Sequence, residues 1–188
     1  MTGTAALLLA AGRSMRFGSP DKLLAPFRGQ TVIAAAMAAL ETPRITMRLA
    51  VVSSQRVATA VQRAGFEPLI IAAGQPQSAS LAAGVRHLAG RDLARIVVAL
   101  GDMPFLRRDD FDALITLAGD GAACARRAAQ PMVPAVFPRV MFDRLCHVAG
   151  DEGARRFLTE LPGKSRLPIP AERLRDIDTQ DDLARTGG

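Results

Sequence analysis

Apolar and polar positions follow two rhythms along this chain. An unbroken apolar run over Thr4–Ala10 ends in glycine and predicts a strand buried on both faces. Behind Thr31, the residues Val32, Ile33, Ala36, Met37 and Leu40 recur at helical spacing, which predicts a helix capped by that threonine and running to Leu40. The alternation then repeats. Strands are expected at Arg48–Ser53, Glu67–Ala72 and Arg95–Leu100, and helices at Gln55–Ala64, Ser78–Leu88 and Asp109–Leu117, the last begun by acidic residues that suit its positive end. Strand and helix in regular succession predict a parallel sheet.

After Gly119 the rhythm loosens. Strands are expected at Ala122–Arg126 and Ala135–Phe137, helices at Val140–Val148 and Glu152–Leu161, an extended piece at Ser165–Ile169 and a short acidic helix at Gln180–Ala184. No repeat, low-complexity tract or linker-like stretch appears, so one domain over residues 1–188 is expected. The fold class is α/β: a three-layer sandwich around a mostly parallel, Rossmann-like sheet, with sites expected at the carboxyl ends of its parallel strands.

Composition narrows the function. At 49% hydrophobic and 22% charged, 188 residues can bury a substantial core. No apolar run approaches the roughly 20 residues of a membrane span, and the first residues lack the basic start of a secretory signal. A cytoplasmic protein without a membrane partner is expected. Cys124 and Cys146 lie too far apart for a Cys-x-x-Cys unit and read as core fillers. His87 and His147, on predicted helices with no acid or cysteine beside them, read as surface or packing residues.

The net charge is +6, with basic residues scattered singly and in pairs, a pattern that suits small anionic substrates rather than nucleic acid. Of the 24 cationic residues, 22 are arginine, so Lys22 is an unusual local choice. A compact ammonium suits a phosphate oxygen, whereas the arginine fork suits bidentate pairing.

Lys22 stands in a loop, Gly12–Arg28, that follows the first strand and is rich in glycine, proline and charge. A glycine turn there can aim backbone N–H groups at a phosphate. The loop matches neither Gly-x-Gly-x-x-Gly nor a P-loop, which argues against a dehydrogenase or P-loop ATPase. Instead Ala10, Ala11 and Gly12 are followed by Arg13, Arg16 and Lys22, spaced to surround one polyphosphate. A second constellation, Val97–Leu100 followed by Gly101-Asp102-Met103-Pro104, sets a carboxylate at the same sheet edge. Asp102 is suited either to hold Mg²⁺ beside substrate phosphates or to cap a turn before Pro104.

Three stretches in order carry a resemblance: Leu9 to Leu24 (L-A-A-G-x-S-x-R-F-G-x-x-D-K-L-L), Gly101 to Pro104 (G-D-M-P) and Asp176 to Asp182 (D-I-D-T-x-D-D). Together they resemble the nucleotidyltransferases of molybdenum cofactor biosynthesis, the MobA-like NTP transferases, and within that group most of all the molybdenum cofactor cytidylyltransferases. The resemblance implies transfer of a nucleoside monophosphate from an NTP to the terminal phosphate of molybdopterin, with release of pyrophosphate. It implies that Leu9, Ala10, Ala11, Gly12, Arg16 and Lys22 surround the nucleotide, that Asp102 ligates Mg²⁺, and that Arg16, Lys22 and Asp102 carry the catalysis. Ser80, in the segment Gln77–Leu81, is implied as a base or ribose contact, or serves as a helix N-cap. Where the guanylyl branch shows Leu-Ala-Gly-Gly, this chain has Leu9-Ala10-Ala11-Gly12, and the extra methyl leaves less room beside the base, which favours CTP.

Asp176 and Asp178 resemble the closing motif, with Asp178 a second candidate metal ligand or a member of a capping cluster before Asp181 and Asp182. Arg155, in Gly150–Arg155, is a candidate contact to the acceptor phosphate or part of a solvated helix start. Pro131-Met132-Val133-Pro134 departs from relatives with glycine and histidine before a proline, so no role passes to that histidine. A molybdenum hydroxylase is the candidate recipient of the product. The alternatives are a guanylyltransferase of the same pathway, a sugar- or isoprenoid-phosphate cytidylyltransferase, and a non-catalytic cofactor carrier.

Overall fold

From Thr4 onward every residue of β1 (Gly3–Ala10) is buried, and its side chains divide by parity. Ala6, Leu8 and Ala10 enter one core, Ala5, Leu7 and Leu9 the other. A strand that feeds two cores has no polar face to show, hence the unbroken apolar run. The structure, a computed structural model, describes residues 3–12, 21–148 and 155–186.

The elements after β1 are a hairpin of β2 (Pro26–Phe27) and β3 (Gln30–Thr31), then α1 (Val32–Ala38), β4 (Met47–Val52), α2 (Gln55–Arg63), β5 (Glu67–Ile70), α3 (Gln77–Ala89), β6 (Leu93–Leu100) and α4 (Arg108–Ala118). There follow β7 (Ala123–Arg127), β8 (Gln130–Pro138), α5 (Phe142–Cys146), α6 (Arg155–Glu160), β9 (Arg166–Pro168) and α7 (Gln180–Thr186). The main sheet has seven strands in the order β5-β4-β1-β6-β8-β7-β9. It is a mostly parallel mixed sheet in which β8 runs against both of its neighbours. α1, α2 and α4 bury Ile33, Val57 and Phe111 against one face, and α3, α5 and α6 bury Leu81, Leu145 and Phe157 against the other. The sandwich is three layers deep, as expected.

The caps are local. Thr31 Oγ1 accepts from Ala34 N at 3.3 Å at the head of α1, and Ser54 Oγ from Val57 N at 3.2 Å at the head of α2. Chain order places the functional edge. From β1 the chain moves outward through β4 to β5, and α3 then returns it to β6 on the opposite side of β1. The strand order thus reverses between β4 and β6, and the crevice at their carboxyl ends is where α/β sheets bind ligands. Register aligns those ends, with Ala10 beside Val52 and Leu9 beside Leu100.

Three expectations are corrected. Among its described residues, the loop after the first strand carries a 3-10 turn, Lys22–Leu24, and leads into the β2–β3 hairpin, whose two-residue strands are too short to show a period. β8 is nine residues long rather than three; its prolines concealed it, and its pairing with β7 shifts register between Cys124 and Ala125, where Ala135 and Met132 are their respective partners. The helix expected over Val140–Val148 is a 3-10 turn, Arg139–Met141, leading into the five residues of α5. Cys124 is fully buried, and burial pushes its thiol up in pKa, as suits a core filler. His87 does have an acid partner, with Nε2 lying 2.7 Å from Glu67 Oε1. Among the described residues no helix is long and apolar enough to cross a membrane.

Close approach of α3 to the sheet rests on Gly84. A methyl group there would fall inside the contact distance of Leu7 Cδ1 and lie 3.0 Å from Val51 Cγ2. Helix propensity favours alanine by about 1 kcal/mol, but overpacking costs about 1–3 kcal/mol. Gly84→Ala is therefore expected to lower the denaturant midpoint, while Gly90→Ala, with open space around it, leaves the midpoint unchanged or raised. A Gly84→Ala midpoint at or above that of the parent protein would contradict the packing described.

Candidate functional site

The crevice between β1 and β6 is floored by Leu9, Ala10, Ala11 and Gly12, walled by Leu23, Gln77, Ser80 and Leu100, and carries Lys22 and Asp102. Lys22 comes from the 3-10 turn after β1. That turn is pinned by Asp21, whose Oδ1 accepts from Leu23 N at 3.1 Å and whose Oδ2 accepts from Ser54 Oγ at 3.4 Å. The pinned turn directs the Lys22 side chain inward, where only 8% of it remains exposed.

Asp102 follows the end of β6 after one glycine. The two sheet ends are tied by Gly101 N, which donates to Leu9 O at 3.0 Å. The C-terminal segment closes the site, because Ile177 N donates to Asp102 O at 2.9 Å and its side chain is fully buried. The next residue is Asp178. The Lys22 ammonium donates to Asp102 Oδ2 at 2.7 Å and to Asp178 Oδ1 at 2.9 Å, so residues 80 and 156 positions away in sequence meet on one nitrogen.

Burial disfavours a charged ammonium, but the charges of Asp102 and Asp178 and their hydrogen bonds outweigh it, and the Lys22 pKa is raised above its usual 10.5. The sign follows from linkage. A raised cation contributes its stability in full below its unfolded value and loses it only as pH climbs through the folded one. Lys22 is thus charged throughout the neutral range, and the loss of its contribution begins above about pH 10.5.

Asp182 accounts for the rest of the closing motif. Its Oδ2 accepts from Thr179 Oγ1 at 2.7 Å, Thr179 N at 2.9 Å and Asp178 N at 3.2 Å. These bonds, the Thr179 hydroxyl first, hold its carboxyl below the ordinary range. Capping and contact with the Lys22 ammonium are therefore divided between Asp182 and Asp178. Asp176 stays largely exposed, yet partial desolvation of its carboxyl, and then the charges of Asp178 and Asp102, hold it above the usual carboxylate range.

A divalent cation fits this donor set in one respect. Asp102 Oδ1 is buried with no hydrogen-bond partner, an orphaned carboxylate oxygen of the kind a hard cation takes. Among the described residues no group of three or more acidic, histidine or cysteine side chains gathers as a metal cage. One or two carboxylates completed by substrate phosphates is the way this donor set could hold a divalent cation.

Ser80 is not a helix cap. α3 begins three residues earlier behind Pro76, which places Ser80 inside its first turns, 3% exposed and facing the crevice. Arg155 opens α6 with an exposed side chain and is not among the residues lining the crevice. Arg13 and Arg16 lie outside the described residues, as does most of the Gly150–Arg155 segment. Residue-by-residue reading missed Asp21, Leu23, Gln77 and Leu100. For Asp21 a signal existed, since aspartate just before a helical turn is a capping pattern. Leu23 and Leu100 are ordinary core leucines in sequence.

Comparison with known proteins gives one family and consistent neighbours. The family described as the MobA-like NTP transferase domain matches residues 6–165. The purine catabolism protein PucB of Bacillus subtilis (strain 168) is 27% identical over 189 residues, covering 94% of this chain and 92% of that protein. The crystal structure of Rv0371c from Mycobacterium tuberculosis H37Rv superposes with a TM-score of 0.77 at 26% identity, over 98% of this chain and 97% of that one. Rv0371c has also been solved as a complex with manganese, at a TM-score of 0.75 and 23% identity, over 99% and 98% of the two chains. A nucleotidyl transferase from Methanothermobacter thermautotroptrophicus shares the fold, with a TM-score of 0.81 at 22% identity over 100% and 97% of the two chains.

Proposed function

Because the chain belongs to the MobA-like NTP transferase family, nucleotidyltransferases related to proteins of the molybdenum cofactor pathway, we propose that it acts as one catalytic domain that transfers CMP from CTP to the terminal phosphate of molybdopterin, releasing pyrophosphate. The observation that carries this reading is the meeting of Lys22, Asp102 and Asp178 at the carboxyl edge of β1 and β6. The place of Ala11 in the crevice floor, where its methyl group takes up room beside the nucleotide, supports the preference for CTP.

In this reading the acceptor is a phosphate monoester, mostly dianionic near neutral pH with a second pKa of about 6, and it attacks the α-phosphorus in line without a general base. The chain's task is positioning and charge. Ala10, Ala11 and Gly12 present their backbone to the phosphates. An ammonium carries three donors; two of Lys22's hold carboxylates, and the third would meet an oxygen of the departing pyrophosphate. Arg16 would add a second cation on the same group. Members of the family normally use divalent metals; here Asp102, with Asp178 beside it, would hold Mg²⁺, which would supply charge neutralisation to the substrate phosphates. Ser80 would orient the base or ribose, and Arg155 the acceptor phosphate. A molybdenum hydroxylase would receive the product.

Pyrophosphate release measured with molybdopterin, Mg²⁺ and each of the four NTPs tests the reading. CTP is expected to give the highest kcat/KM. A GTP preference would make the enzyme a guanylyltransferase, and turnover only with a sugar or isoprenoid phosphate would move it to another cytidylyltransferase class. No release with any pair, alongside tight binding of the finished cofactor, would mark a carrier.

A further inference from the structure

Asp102 divides its carboxylate between two demands. Oδ2 accepts from the Lys22 ammonium at 2.7 Å, while Oδ1 is buried with no hydrogen-bond partner among the described residues. Asp178 lends its Oδ1 to the same ammonium at 2.9 Å. Two carboxylates thus share one ammonium, and the trio carries a single net negative charge. Asp176, largely exposed, adds a charge that water screens. A hard divalent cation is held by the charge and number of its oxygen ligands, and here half of the carboxylate charge is already neutralised.

The ammonium is not placed to yield its position. Its side chain is 8% exposed, and its turn is fixed from both sides. Leu23 is buried in the core with Ala10 and Met103, and Asp21 holds the turn through its main-chain oxygen, which accepts from Leu24 N at 3.0 Å, as well as through Oδ1. The carboxylates are fixed as well. Ile177 N holds Asp102 O, and Asp178 N donates to Asp182 Oδ2 at 3.2 Å. Because Oδ1 and Oδ2 belong to one carboxylate, a cation taken by the first would be a near neighbour of the ammonium on the second. Like charges that close, with the lysine out of water, repel with little screening.

Given the reading of the crevice as a nucleotide and metal site, on which this rests, we propose that Lys22 is also an internal counter-charge. It keeps a divalent cation off Asp102 and Asp178 until a nucleotide brings phosphate charge that compensates both cations, so that metal and nucleotide enter together. Asp102 Oδ1 is the oxygen left open for that arrival. The triphosphate oxygens then complete the coordination that one or two carboxylates leave unfinished. The coupling is reciprocal: the factor by which nucleotide raises metal affinity is the factor by which metal raises nucleotide affinity. Without Lys22 the carboxylates carry two uncompensated charges and take the metal alone, so the coupling shrinks. This role precedes the chemistry, is distinct from a contact with the departing pyrophosphate, and is invisible to a measurement of turnover alone.

The test is titration of the full chain with Mn²⁺ alone, near neutral pH, with the free ion counted by its EPR signal. Lys22→Ala and Lys22→Gln are expected to bind Mn²⁺ about tenfold or more tightly than the parent protein. The glutamine variant keeps a donor between the carboxylates and serves if the alanine variant does not fold. Adding Asp102→Asn to either is expected to return the affinity to that of the parent or below. A non-hydrolysable CTP analogue is then expected to tighten Mn²⁺ binding about tenfold more in the parent than in the neutral variants. A GTP analogue that does so in place of the CTP one supports the counter-charge and fails the cytidylyl reading alone. The proposal is overturned if the neutral variants bind Mn²⁺ no more tightly than the parent, if their tighter binding survives Asp102→Asn, or if no nucleotide analogue tightens Mn²⁺ binding in the parent.

Discussion

Lys22→Ala is expected to lower kcat/KM for nucleotide transfer at least a hundredfold with the fold retained, the scale seen when one preorganised electrostatic partner of a transition state is removed. The ammonium is buried between Asp102 and Asp178, so its field is little screened by solvent. The loss is expected mainly in kcat, because the charge it meets grows as the pyrophosphate leaves. Lys22→Arg is not expected to restore the rate, since a planar fork cannot occupy the space of a compact ammonium between two carboxylates. Circular dichroism and a thermal scan separate the two ways of failing. An unfolded variant would assign Lys22 to structure, and a folded variant at undiminished rate would remove it from the chemistry. Asp102→Asn, which keeps the shape but weakens any hold on a cation, is expected to fail alongside it and to be partly rescued by raised metal concentration.

Phe137→Ala is expected to cost about 3–5 kcal/mol of stability, a large part of the roughly 5–15 kcal/mol a domain possesses. Phe137 is fully buried, opposite Ile96 in the β6–β8 register, in the core that α5 and α6 cover with Leu145 and Phe157. The thermal midpoint is expected to fall by roughly 10 °C, whereas Val140→Ala, at a residue 84% exposed, leaves it in place. A Phe137→Ala midpoint within a degree or two of the parent would mean that β8 does not pack as described.

The two regions of the chain differ in how far their structure can be read in advance. Outside the β2–β3 hairpin, apolar runs and helical spacing announce each element from β1 to α4 to within a few residues, because β1, β4 and β6 each feed two cores and the helices bury an apolar face. Past Gly119 the same reading shortens β8 and lengthens the helix after it. β8 carries Pro131, Pro134 and Pro138, and its pairing depends on partners forty residues back in β6 and immediately before it in β7. Local propensity does not encode such pairing. The β2–β3 hairpin is too short for any period, and its Arg28-Gly29 turn lacks the asparagine that would advertise it.

The candidate site divides in the same way. The types and order of its residues were legible: Lys22, one of two lysines in a chain of arginines, a glycine-rich break after the first strand, an aspartate at the end of a buried strand, and acidic residues near the close. The side chains those residues meet were not. That Lys22 bridges Asp102 and Asp178, that Ile177 ties the two carboxylate segments together, and that Ser80 faces the crevice from within a helix follow from strand order and register. Periodicity and turn chemistry act over a few residues and are written in the chain itself, whereas these meetings depend on which strand lies beside which, a choice made only when the whole sheet closes its two cores.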